Sequence, residues 1–395
     1  MSRTPDVAVI GGGIIGCAAA AFLADQGASV TLYEQTAIGA GASGRNLGAI
    51  QHPFDPVLAV LYHDSLTRYR ELAAASDDFG VPDRPAGLLL LNRDEDAVRR
   101  QVAHFAATSP ELEATFLSAA DLARAEPALA PGLAACRLAT GYPVPPDSAT
   151  AGYASRAMRK GATLRIGLAA TPWTVEGRAR GLRLGDGSEV EADAVLVAAG
   201  PWTPALVDPY GAWQPIHRTW GVTVQLRLPE PLRHVIEEDE VDSVNRPAVA
   251  TARAAASTDP EPPSLFSIAS ANGVSTLGST FLPDEPDPSS IARLLVQRAE
   301  RFLPSAADAP IVQTRMCARP QSVDGRPFIG PVEGASGLFV CAGHGPWGIS
   351  TGPASAALVV DAILGRDTIA PELRADRPVQ AALAFADTGR SAATH

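Results

Sequence analysis

Residues 7–34, VAVIGGGIIGCAAAAFLADQGASVTLYE, constrain the fold more than any other stretch of the chain. Four apolar residues of strand type run into Gly11, Gly13 and Gly16 at G-x-G-x-x-G spacing. An alanine-rich helix follows, and a second strand-like run ends on Glu34. Each glycine has a physical task. Gly11 lets the chain turn tightly out of the strand, Gly13 lets backbone approach a pyrophosphate with no Cβ between, and Gly16 lets the helix lie close on the strand. The helix N-terminus offers N–H groups and the positive end of its dipole to an anion. Gly27 predicts a left-handed cap at the far end. Glu34 is placed to accept hydrogen bonds from ribose hydroxyls and would repel a 2′-phosphate, which favours FAD or NAD over NADP.

The same stretch has two competing readings. Residues 7–24 are apolar over a length that crosses a bilayer, and they lie near the N-terminus, where a signal segment would sit. Three consecutive glycines, with Asp6 and Asp25 bounding the span, argue against both.

The 395 residues predict two or three domains, and 46% hydrophobic with 19% charged residues is ordinary globular composition. A formal net charge of −11 excludes the basic footprint of a nucleic-acid or anionic-membrane binder. Lysine occurs only at Lys160, so arginine carries nearly all the positive charge. Cys17, Cys136, Cys317 and Cys341 show neither CxxC nor zinc spacing, which points away from a disulfide framework or structural metal. A soluble protein in a reducing cytoplasm is the expectation.

Along the chain, residues 38–53 (IGAGASGRNLGAIQHP) are small and hold no packed element of their own, as suits backbone lying against a ligand. Residues 55–76 have apolar residues at helical spacing. Strands are expected at 86–91 and 132–139, with a surface helix and a short helix between them. GYPVPPDSAT, residues 141–150, is a proline-rich crossover leading to a helix at 149–159. Asp186-Gly187 reads as a hairpin turn, and Val195 to Ala199 as a buried strand that delivers Gly200 to the mouth of a sheet. Residues 213–228 alternate like a strand of a different sheet, 240–263 read as a mobile loop, 266–280 as a hairpin around Asn272-Gly273, and 287–303 as a capped helix. Residues 337–365 are strand, glycine loop and helix. Ser350 or Thr351 is expected to cap that helix, Pro353 to fall in its first turn, and Gly365 to end it.

GGGIIG with Glu34, GASGRNLG, VLVAAGPW, RPQSVDGRPFIG and the closing AGHGPWGIS together resemble the D-amino-acid oxidase family of FAD enzymes. That family includes glycine oxidase, monomeric sarcosine oxidase, D-amino-acid dehydrogenase and the catalytic subunits of opine and hydroxyproline dehydrogenases. The resemblance covers most of the chain and is only general between residues 206 and 311. It implies an α/β and α+β fold: a discontinuous Rossmann-like FAD-binding domain (1–85, 145–205, 321–395) and an inserted substrate-binding domain (86–144, 206–320) on a large mixed or antiparallel sheet.

The resemblance also implies site residues. Gly11, Gly13, Ile14, Ile15 and Gly16 would hold the pyrophosphate, and Glu34 with Gln35 the ribose. Ala42, Ser43, Arg45 and the backbone to Leu47 would support pyrophosphate and flavin. Ala170 stands where the family puts a valine near the adenine, and Gly200 and Trp202 would line the cofactor channel. Asn46 would contact the flavin, or else merely form a turn. The loop Gly343, Gly345, Pro346, Trp347, Gly348 and Ile349 would offer N–H groups to negative charge developing on the flavin. Trp220 and Trp347 would serve as aromatic walls or as core.

Arg319 matches an arginine that grips the substrate carboxylate in these enzymes, in a fork lysine could not supply; the alternative is a salt bridge under the sheet, for instance to Asp324. Cys317 stands where monomeric sarcosine oxidase attaches its flavin covalently, the alternative being an inert buried thiol. His344 and His52 fall near the expected site, where either would tune substrate protonation, with packing as the other role for His52. Sarcosine oxidase activates oxygen with a lysine, whereas Lys160 lies in a region that would not reach the flavin.

The implied activity is oxidation of the C–N bond of an amino acid or secondary-amine carboxylate by hydride transfer to flavin. The electron acceptor would be O2 or a partner redox subunit, as in the electron-transferring subunit of a heteromeric dehydrogenase. A non-catalytic flavin-binding assembly protein is the reading from another class. A nicotinamide dehydrogenase leaves the closing helix and the Arg-Pro segment without a role.

Overall fold

A computed structural model describes residues 5–77, 79–239 and 264–378. The strand Asp6–Ile10 is the centre of a six-stranded sheet. It pairs in parallel with Ser29–Glu34 on one side and Ala194–Val197 on the other. Thr163–Ile166 adds in parallel outside Ser29–Glu34. Leu338–Ala342 adds in parallel outside Ala194–Val197, and Phe328–Pro331 closes that edge antiparallel. The apolar runs of the inner strands carry no polar alternation because helices cover one sheet face and a three-stranded antiparallel sheet packs on the other.

Alanine decides how the covering layer packs. Ala18 to Ala21 of the helix Ile14–Asp25 are fully buried, because that helix is sandwiched between Ser148–Arg159 and Gly348–Ile363. Methyl-sized side chains let three helices approach where larger ones would hold them apart. Gly27 adopts φ +83° just beyond the helix, as its sequence position predicts.

A second, eight-stranded sheet runs in the order Ile311–Ser322, Ile216–Leu226, Val274–Thr280, Ser264–Ala271, Val235–Glu238, Leu88–Asn92, Ala134–Leu138, Thr115–Leu117. All its pairs are antiparallel except Val235–Glu238 with Leu88–Asn92, so the sheet is mixed. One face buries a cluster with the helix Pro288–Glu300, capped by Asp287; the other faces residues 44–54 of the first unit. Asn272 (φ +50°) and Gly273 (φ +75°) form the tight turn of the hairpin. The expectation for 240–263 lies outside the described residues.

The closing helix differs from expectation. It begins at Gly348 with Trp347 at its N-cap, so Ser350 and Thr351 lie within it rather than capping it. Their hydroxyls have other partners: Ser350 Oγ accepts from the Gln51 N–H at 2.9 Å, and Thr351 Oγ1 donates to Trp347 O at 2.8 Å. Pro353 then falls past the first turn and cannot donate to the carbonyl of Ile349. The buried phenol of Tyr69 donates to that carbonyl instead, at 2.7 Å, and burial raises its pKa, keeping the proton in place.

Candidate active site

The six-stranded sheet delivers its glycine turn, Glu34 and the start of the closing helix to one end, where a cavity of about 710 Å³ opens between the two sheets. Glycine makes its first wall possible. A Cβ on Gly11 would stand 2.4 Å from Ala198 O, and one on Gly16 would stand 1.9 Å from Gly11 O, so neither position admits a side chain. Gly13 faces Ser43, whose Oγ would be 3.0 Å from a Cβ there and which accepts the Ile14 N–H at 3.0 Å. The helix carries no acid in its first turn and its N-cap residue, Gly13, has no side chain, so apart from the Ile14 N–H its positive end is left to an anion.

Glu34 is held in place before any ligand arrives. Its Oε2 accepts the Gly12 N–H at 2.8 Å, and its Oε1 accepts both N–H and Oγ1–H of Thr36, each at 2.8 Å. Ile14, Ile15, Gln35, Ala42, Ser43, Arg45, Asn46, Ala170, Gly200 and Trp202 all line the same cavity. A cradle that excludes Cβ atoms, a carboxylate fixed beside it and a cavity of this size fit FAD.

At the other end of the cavity lie Cys317, Arg319, His344, Gly345, Pro346, Gly348 and Ile349. Arg319 sits on the edge strand Ile311–Ser322 and donates to Thr280 O at 2.8 Å and to Ser279 Oγ, with its guanidinium 4.8 Å from the Phe281 ring centre. Among the described residues no carboxylate pairs with it: Asp324, the partner considered from sequence, is held by Arg377 at 2.9 Å. Burial pushes the Arg319 pKa down, and the neighbouring Cys317 thiol offsets this only in part. The guanidinium lies against Gly221, where a Cβ would come within 2.2 Å of Nη1. Sequence reading missed Gly221, Ser279, Thr280 and Phe281. The one signal for them was a glycine inside the strand run of IHRTWGVTVQL, which marks a close approach.

His344 is buried, its Nε2 meets no protein partner, and burial lowers its pKa to about 3. It is therefore a neutral imidazole on the cavity wall. Burial raises the Cys317 pKa despite Arg319, Arg45 and Arg315 nearby, so its thiol stays protonated at neutral pH.

Several expected site residues lie elsewhere. His52 packs against Tyr62, with ring centres 5.0 Å apart, and 3.6 Å from a Glu111 oxygen, outside the cavity lining; burial and His63 lower its pKa to about 4. Its neighbour Gln51 turns to Glu237, and the chain carries His52 into the domain interior because its N–H is bound by Thr140. The Leu47 side chain packs over Gly278, Gly16 lies beneath the glycine turn, Gly343 (φ +94°) packs on Ile216 and Ser322, and Trp347 joins the helical core. Trp220 likewise packs into the far face of the eight-stranded sheet. The Asn46 side chain is spent on its own turn: Nδ2 donates to Ser43 O and Pro146 O, and Oδ1 accepts the Gly48 N–H. Lys160 pairs with Asp25 at 3.1 Å and does not line the cavity.

Residues 6–362 match the FAD dependent oxidoreductase family. The chain is 27% identical to glycine oxidase of Pseudomonas aeruginosa, over 92% of this chain and 96% of that protein. It is 24% identical to a D-amino acid dehydrogenase of Xanthobacter autotrophicus, over 91% and 95%. Among solved structures, glycine oxidase from Geobacillus kaustophilus superposes with a TM-score of 0.80 at 24% identity, covering 96% of this chain and 100% of that one. Iminodiacetate oxidase from Chelativorans sp. superposes with a TM-score of 0.77 at 23% identity, covering 93% and 98%. Among the described residues no helix is long and apolar enough to cross a membrane.

Proposed function

Because this chain belongs to the FAD dependent oxidoreductase family, we propose that it oxidises the C–N bond of an amino acid or a secondary-amine carboxylate. The observation that carries this reading is Arg319: a guanidinium on the cavity wall that, among the described residues, is bound only to neutral oxygens and pairs with no protein carboxylate. Such a charge is costly to bury alone and is offset when a carboxylate enters. Two of its five N–H donors are engaged by Thr280 and Ser279, which leaves others for a forked grip on a substrate. Glycine oxidase and D-amino acid dehydrogenase among the relatives support the same substrate class.

FAD, when bound, supplies the two-electron acceptor for the hydride that leaves the amine-bearing carbon. The chain's own groups then have distinct roles. Arg319 fixes the carboxylate and with it the angle of the reacting C–H bond. The backbone around Gly345 and Gly348, at the positive end of the closing helix, stabilises negative charge that develops beside it. His344, neutral by burial, carries no charge that would repel a cationic amine. The cationic amine first gives up a proton to solvent, freeing the nitrogen lone pair; as the hydride departs that lone pair forms the C=N bond, and the iminium releases its N–H proton to solvent to leave the imine. Water then adds to the imine to give the carbonyl compound and the free amine.

No lysine lines the cavity among the described residues, and we read the acceptor as a redox partner in preference to O2. Anaerobic mixing with D-, L- and N-methyl amino acids tests the reaction: bleaching of the flavin by a carboxylated amine is expected, and no bleaching across the panel would sink it. Reoxidation that is slow in air and fast with an artificial acceptor tests the second point; rapid reoxidation in air would reverse it.

A further inference from the structure

One transverse row of the eight-stranded sheet faces residues 44–51, the segment that begins on the cavity wall. Register places Arg315 beside Thr223, Thr223 beside Gly278, Gly278 beside Ser267 and Ser267 beside Glu237. The segment crosses this row in order. Arg315 donates through Nη1 to Gly44 O at 3.3 Å and through Nη2 to Asn46 O at 3.0 Å. Thr223 Oγ1 donates to the carbonyl between them, Arg45 O, at 3.3 Å. Leu47 lies over the bare Cα of Gly278, and Gln51 Nε2 donates to Glu237 Oε1 at 3.0 Å. Three consecutive carbonyls outside any strand are thus drawn down onto the sheet by side chains.

A trans peptide is planar, and its C=O and N–H point in opposite directions. Drawing down the carbonyls of Arg45 and Asn46 therefore turns the N–H groups of Asn46 and Leu47 away from the sheet, and Arg45 and Asn46 are themselves lining residues of the cavity. Neither N–H donates to a protein acceptor among the described residues. We infer that Arg315, seconded by Thr223, is a positioning residue: it clamps residues 44–51 to the sheet and so aims the Asn46 and Leu47 N–H groups at the flavin. This rests on the reading of the cavity as the FAD site. Arg315 is nine-tenths buried, and its guanidinium binds carbonyls rather than a carboxylate. It stands two residues from Cys317 and four from Arg319 on the same strand, which couples the clamp to the wall proposed to hold substrate.

The test is Arg315→Met, which keeps an unbranched stem and removes every donor, beside Arg315→Lys, which can hold one carbonyl. Three quantities are read: amide hydrogen exchange of peptides spanning 44–51 in the apoprotein, FAD affinity by fluorescence titration, and the position of the long-wavelength flavin band. In Arg315→Met, exchange at 44–51 is expected to rise at least about tenfold, with the FAD dissociation constant rising about tenfold and the band shifting. Exchange in the helix Pro288–Glu300 stays at the wild-type rate, and Arg315→Lys recovers part of each change. Should Arg315→Met fail to fold, Thr223→Val removes one donor at equal volume and is expected to change all three readouts in the same direction. Unchanged exchange at 44–51 overturns the clamp. Faster exchange with unaltered flavin affinity and band overturns its role in aiming the N–H groups. A wild-type protein that takes up no FAD sinks the functional reading instead, and exchange in the apoprotein still reports whether the clamp exists.

Discussion

Gly221→Ala tests the substrate grip with the smallest change the structure offers. An ideal Cβ at 221 would lie 2.2 Å from Arg319 Nη1 and 2.4 Å from Cζ and Nη2, whereas ordinary van der Waals contact begins at 3.4 Å. The guanidinium must therefore withdraw by about an ångström. Gly221 shows no positive φ, so alanine suits the strand backbone and the displacement falls on Arg319 rather than on the sheet. Withdrawal strains the 2.8 Å bond to Thr280 O and the bond to Ser279 Oγ. A misplacement of about 1 Å costs on the order of 10²-fold in kcat/KM, equivalent to about 2.7 kcal/mol of transition-state stabilisation. The fold loses about 1 kcal/mol, the low end for overpacking, because the atoms in the way end a flexible side chain. The assay compares steady-state kinetics on an amino acid with those on the same amine lacking its carboxylate. The expected loss appears with the carboxylated substrate, chiefly in KM, and is absent with the amine. An unchanged KM for the amino acid, or an equal loss on both substrates, would refute the assignment of Arg319 to the carboxylate.

Four further outcomes are expected. Burial lowers the pKa of His344 to about 3 and of His52 to about 4, against 6.5 for a free imidazole, so the unfolded chain takes up protons below 6.5 that the folded one refuses; stability is full above pH 6.5 and declines toward pH 4 and below, as melting temperature against pH would show. His344→Gln should flatten that decline while leaving the pH-rate profile above pH 6 in place, because a neutral imidazole contributes no limb there. With the Cys317 thiol held protonated by burial, acid precipitation should leave the flavin in the supernatant, and flavin in the pellet would contradict it. Glu34→Gln turns a donor amide toward the N–H groups of Gly12 or Thr36 and should weaken FAD binding about tenfold in a titration of the apoprotein.

The glycine turn, Glu34 and the helices on either side of them were legible because their reasons are local. Each depends on residues within one or two turns of chain, where backbone sterics and the helix dipole act. The same holds for Asn272-Gly273 and for Asp287 as a cap. The start of the closing helix was misread for a related reason. Ser350 and Thr351 are good caps in isolation, but Gln51, 299 residues away, binds Ser350, and Tyr69 satisfies the carbonyl that Pro353 leaves open. His52 looked like a site residue because it follows a ligand-facing segment, and the hydrogen bond from its N–H to Thr140 carries it elsewhere.

The sequence by itself determined the glycine turn with an acid beside it, a pattern that favours a dinucleotide with an unphosphorylated ribose, and its family resemblance singled out Arg319 as the candidate for a carboxylate. Only the tertiary structure decided what surrounds that arginine. Gly221 meets Arg319, and Arg315 meets the carbonyls of Gly44 and Asn46, through the register of strands that lie far apart in the chain. Strand register alternates faces residue by residue, so a shift of one position would send Arg315 and Arg319 to the opposite side of the sheet. Short-range sterics write the cradle into the chain, and long-range pairing alone sets the charge and the donors that face it.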